Sequence, residues 1–251
     1  MALNAICSVT LEGGATSEFL PVTLHRMTAP LNLVSAQYDP LVRPSLAPFL
    51  PESVPERPPS CLPPPGTAQL HCHAGKSIGD GHSSIILALN DVELDGAPPD
   101  ERFVPRLVVK IARSNRLAAL ARNAWFYDEM ECLQGSSIAR CYGWFETELF
   151  PNQIVPAWSD HPAEETGDYD NALDHDATVH PDQLKRTACR DVISILVLER
   201  LGDRLPPGPH SKEDRKDILS LYEDASHLGV GIAHDVRRHN ILELPMRSRT
   251  F

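Results

Sequence analysis

Residues 40–65 hold ten prolines in twenty-six positions and end on Pro63-Pro64-Pro65. Proline fixes φ and has no amide hydrogen, so this stretch cannot supply a helix interior or a central strand. It predicts an extended, partly polyproline-like spacer. Before it, residues 1–39 carry scattered apolar residues with no sustained period. Residues 1–66 therefore read as a disordered, proline-rich tail and linker, with order expected from near Ala68.

From there the pattern changes. Residues 68–74 and 84–90 read as two short strands around a glycine turn, and 103–112 as a third. Residues 116–134 read as a helix ending before Gly135. Ile138–Glu148 and Ile193–Glu199 read as further strands. Between them, residues 151–190 are polar, acidic and proline-bearing, and read as a surface insertion. Residues 213–228 read as a second helix, because Ile218, Leu221, Tyr222, Ala225 and Leu228 share one face. Strands, helix, strands, then helix predicts an α+β domain with a largely antiparallel sheet first.

The net charge of −11 over 251 residues gives no general support for binding the nucleic-acid backbone. No run of eighteen apolar residues predicts a membrane span, and the N-terminus lacks the pattern of a signal peptide. Six scattered cysteines (Cys7, Cys61, Cys72, Cys132, Cys141 and Cys189) read as reduced intracellular thiols, so a cytoplasmic or nuclear location is expected. In His71-Cys72-His73, neighbouring side chains on an extended strand point to opposite faces, and no matching pair follows at zinc-site spacing.

Several segments carry chemistry. Ile78-Gly79-Asp80-Gly81-His82-Ser83-Ser84 lies between two predicted strands, where glycines let backbone N–H groups approach phosphate oxygens. The strand-like Ile85-Ile86-Leu87 that follows excludes a dinucleotide turn, which needs a helix there. Lys110 interrupts the apolar Leu107-Val108-Val109-Lys110-Ile111, either as a solvent-facing edge lysine or as a cation for phosphates. Ile193–Gly202 is an apolar strand with a turn, in which backbone groups at Glu199 and Leu201 could read a base edge. After the second helix, Asp235 and Asn240 stand five residues apart in His234-Asp235-Val236-Arg237-Arg238-His239-Asn240, before Ile241-Leu242.

Taken in order, these parts resemble the protein-kinase-like superfamily, and most nearly its short, divergent fungal members. More distantly they resemble aminoglycoside and choline kinases. The resemblance covers residues 74–242. It implies a kinase-like α+β fold: an antiparallel N-lobe sheet with one helix (67–199), then the beginning of a helical C-lobe (203–251). It implies ATP and Mg²⁺ as cofactors and a protein or small-molecule hydroxyl as acceptor. Gly79, Gly81 and Ser84 would cover the phosphates, Lys110 would grip them, and Glu199 and Leu201 would hold adenine. Asp235 would act as base and Asn240 would ligate magnesium.

The sequence departs from that family pattern at several places. Ser84 replaces the third glycine, Ala233 and His234 replace the motif's His-Arg, and Asn123 stands where the helix should offer a glutamate. Eleven residues follow Asn240, with no D-F-G among them, so the domain is expected to be truncated. The alternative implied is a pseudokinase or interaction fragment.

Overall fold

The computed structural model describes residues 1–13, 21–28, 60–81, 83–97, 103–114, 116–150, 153, 155, 191–203, 208–228 and 242. Among them the order is β1 (Ile6–Gly13), β2 (Val22–Arg26), β3 (Ala68–Asp80), β4 (Ser84–Asp95), β5 (Leu107–Ala112), α1 (Leu117–Glu129), a 3-10 turn (Glu131–Leu133), β6 (Cys141–Glu148), β7 (Val192–Glu199) and α2 (Lys212–His227). The strands close into a barrel in the order β1-β2-β6-β7-β5-β4-β3. Neighbours run antiparallel except β1 and β3, which are parallel.

This overturns the expected fold class. A kinase-like α+β fold, with an N-lobe sheet under a helical C-lobe, is not what forms. The chain builds a closed, mixed, seven-stranded barrel with two helices among the described residues. The cause lies in residues 1–28. Val9 and Leu11 of β1 and Val22 and Leu24 of β2 point into the barrel, while the Thr10 and Thr23 hydroxyls meet outside it at 3.1 Å. Residues 1–66 are therefore not a tail throughout, because their first two strands complete the barrel and remove its sheet edges. Residues 29–59, with most of the proline tract, lie outside the described residues. The tract's end lies against the barrel, where Asn4 Nδ2 donates to the Pro63 carbonyl at 2.8 Å and the Gly66 N–H donates to the Asn4 carbonyl at 2.8 Å.

Alternation along each strand fills the interior. Leu11, Leu24, Leu70, Val109, Ile111, Phe145 and Ile195 are all at most 1% exposed. Of the expected acidic insertion only Gln153 and Val155 are described, and Val155 belongs to this core. A second core lies outside the barrel wall. Leu117, Leu120, Ala121 and Ala124 recur at helical spacing on α1 and pack on Val108, Trp144, Leu196 and Leu198. The buried Trp144 indole N–H donates to Ser194 Oγ at 2.8 Å.

Two glycines serve close approach. A Cβ at Gly75, where β3 bulges, would meet Asn90 Nδ2 at 2.6 Å. Gly143 has φ +144° at the β6 bulge, and a Cβ there would meet Arg26 Nη1 at 2.8 Å. α2 begins with a reciprocal cap: the Asp214 N–H donates to Ser211 Oγ and the Ser211 N–H to Asp214 Oδ2, both at 3.0 Å. The Ser211 hydroxyl and, after it, the Ser211 backbone N–H hold the Asp214 carboxyl below its ordinary range. Ser137 Oγ donates to Asp224 of α2 at 2.8 Å. No helix among the described residues is long and apolar enough to cross a membrane.

Candidate functional site

β5 sends Leu107, Val109 and Ile111 into the barrel. Val108, Lys110 and Ala112 alternate to the outer face, the side on which α1 packs. β5 lies between β4 and β7, so Lys110 is not an edge-strand lysine, and it is half-buried. Gly79 is opposite Ile86, Ile86 opposite Lys110, Lys110 opposite Leu196, and Leu196 opposite Trp144. Directly opposed residues share a face, so Gly79 and Lys110 belong to one transverse row. The next row on this face is Ala88, Val108 and Leu198, all buried. This apolar strip runs beside the lysine toward Glu199 and Leu201.

The glycine turn is braced rather than open. The Gly81 N–H donates to the Ser84 carbonyl at 2.9 Å. Arg113, just past β5, donates from Nε to the Gly81 carbonyl at 3.1 Å and from its backbone N–H to the Ser83 carbonyl at 3.0 Å. Its guanidinium also pairs with Asp80. The Gly81 amide is thus spent within the turn, and Ser84 is buried opposite Ala112. Of the three positions expected over phosphates, Gly79 alone shares the lysine's row.

At the end of β7, Glu199 is committed to the barrel. Arg140 Nη1 donates to its two carboxylate oxygens at 3.1 and 3.0 Å. The Glu199 N–H donates to the Arg140 carbonyl, and the Arg200 N–H to the Arg106 carbonyl, both at 2.8 Å. Leu201 follows, half-buried. On α1, Asn123 Nδ2 donates to the Ala119 carbonyl of its own helix at 3.0 Å. In the 3-10 turn after α1, the Glu131 carboxylate accepts from Ser60 Oγ and, at 2.7 Å, from the Cys61 N–H. Asp235 and Asn240, with Ala233 and His234, lie outside the described residues.

His71 and His73 share the outer face of β3, near Asp95 at 3.6 Å and Glu12 at 3.8 Å. Cys72 points inward, and burial pushes its thiol up to about 12. No group of metal-ligating side chains converges among the described residues. Burial raises the Tyr127 hydroxyl, with Cys141 adding to the shift, and pushes the Cys141 thiol up to about 12. Arg113 and Arg140 were not legible as site residues, because an arginine just outside a strand carries no signal of the carboxylate it will meet.

No family model matches the chain, and no curated protein matches it.

Proposed function

We propose that this chain is a phosphotransferase of the protein-kinase-like class, binding ATP with magnesium on the outer face of β3, β4 and β5 and passing the γ-phosphoryl to a hydroxyl of a protein or small molecule. The observation that carries this reading is the shared row of Gly79 and Lys110. It sets a strand glycine, with no side chain to obstruct an approaching phosphate, in one row with an ammonium on one sheet. The backbone at Leu201, which follows the strand beside Lys110, would read the base edge. The Glu199 side chain has a structural task, holding Arg140.

In the transfer step the acceptor oxygen bonds to the γ-phosphorus as the bond to the β–γ bridging oxygen breaks. The leaving group is ADP, and Asp235 takes the acceptor's proton. Asn240 would hold magnesium through its carbonyl oxygen. We place this activity in the cytoplasm or nucleus, where Cys7, Cys61, Cys72, Cys132 and Cys141, all free thiols, stay reduced.

A second reading, a nucleotide-binding or interaction module without transfer, is favoured by Asn123. Its amide is bonded to its own helix and supplies no carboxylate to orient the lysine. Thermal unfolding of the full chain with ATP, with and without magnesium, tests the shared part of both readings. A rise in the midpoint that needs magnesium and is lost in Lys110→Met supports it. No rise in folded protein removes the transferase and the nucleotide-binding readings and leaves the interaction module. Transfer of labelled phosphate to a generic acceptor then separates them.

A further inference from the structure

A cleft of about 710 Å³, not lined by Lys110, opens between the barrel wall and the end of α1. Arg26 and Gly143 line it, together with Asp128, Glu131, Ser60 and Pro65. We propose that this cleft binds a small molecule bearing one oxyanion group, a carboxylate or a phosphate, seated on Arg26 beneath residues 60–65.

The seat is built from the guanidinium itself. Arg26 Nη1 donates to the Ile6 carbonyl at 2.8 Å and to the Tyr142 carbonyl at 2.9 Å. The guanidinium carbon stands 5.8 Å from the Phe145 ring centroid. These contacts fix the plane of the fork. The N–H groups on Nε and Nη2 make no hydrogen bond among the described residues, and neither nitrogen is a sealed, unsatisfied atom. They therefore reach the cleft that Arg26 lines. No carboxylate among the described residues forms an ion pair with this arginine. Burial lowers its pKa, and Cys141, Asp128 and Cys7 nearby act in the opposite direction. A planar two-donor edge is the geometry that takes a carboxylate or phosphate in bidentate fashion.

The volume lies within the range of small-molecule sites. Asp128 and Glu131 also line the cleft, so a ligand with a single negative group is favoured over a polyanion. The segment over the cleft is latched at Glu131, which accepts from Ser60 and from the Cys61 N–H, and at Asn4, which donates to the Pro63 carbonyl.

Proton–nitrogen NMR of the full chain, titrated separately with inorganic phosphate and with acetate, tests this. The expected result is a saturable shift of the Trp144 indole and Gly143 amide with one of the two anions, and that anion identifies the group. In Arg26→Met the affinity falls about tenfold or more, the scale of a charge-assisted pair. Because Arg26 also ties two strands, Glu131→Gln is the second variant. It removes a negative charge from the lining while Arg26 stays in place, so anion binding should strengthen severalfold. Absence of a saturable shift with either anion in folded wild-type protein overturns the proposal, as does unaltered affinity in a folded Arg26→Met or an unaltered or weakened affinity in Glu131→Gln.

Discussion

Lys110 stands two strands from Gly79 in a single transverse row of the barrel, with Ile86 between them. At ordinary strand spacing the backbones are about 10 Å apart, a separation that a lysine side chain and a bound phosphate can span together. The relationship is set by register, and a slip of one residue in β5 would turn Lys110 into the barrel core. Lys110 on the outer face and Val109 and Ile111 inside are one consequence of one pairing.

The turn beside that row depends on Arg113. In Arg113→Met the bonds to the Gly81 carbonyl and to Asp80 are lost. Hydrogen exchange at residues 79–84 should quicken by about tenfold, while global stability falls by no more than about 1 kcal/mol, because Asp80 is largely exposed. Exchange mass spectrometry with urea unfolding checks both numbers.

Barrel closure makes a claim about the N-terminal strands. Leu24 of β2 is fully buried, so Leu24→Ala should cost about 2–5 kcal/mol in urea unfolding. Were residues 1–28 a tail, the substitution would cost nothing measurable.

Behind α1, Ser194→Ala leaves the Trp144 indole N–H without its acceptor inside the second core. A loss of about 1–3 kcal/mol is expected, with a change in tryptophan fluorescence. Ser194→Thr, which keeps the hydroxyl, should recover part of it.

Alkali should destabilise the protein. Burial holds the Cys72 thiol at about 12 in the fold against an ordinary 9.0. The unfolded chain therefore loses this proton first as pH rises, so the contribution is complete below pH 9 and is lost between 9 and about 12. The unfolding midpoint of wild type should fall across that window. Cys72→Val should fall less steeply and differ little in slope near neutrality.

Much of the strand and helix content after residue 68 could be read from the chain, because those segments announce themselves by period: Ile193–Glu199 as an apolar run, Leu117 to Ala124 as a helix stripe. The barrel could not be read. Val9-Thr10-Leu11 and Val22-Thr23-Leu24 do alternate, but each run is short, and β1 finds its parallel partner β3 only beyond the proline tract. Pairing at that separation leaves no local trace. Of the candidate site, the strand positions of Gly79 and Lys110 were legible, and the register puts the two in one row. The bracing of Gly81 by Arg113 and the commitment of Glu199 to Arg140 were not, since each joins residues whose neighbourhood exists only after the sheet forms.

The central claim is that one face of this barrel holds a nucleotide on Lys110. Isothermal titration of the full chain with ATP and magnesium measures it most directly. The account predicts saturable binding that weakens at least about tenfold in folded Lys110→Met, the scale of a lost charge-assisted phosphate contact. Equal affinity in wild type and Lys110→Met, or no heat of binding in folded wild type, would contradict it.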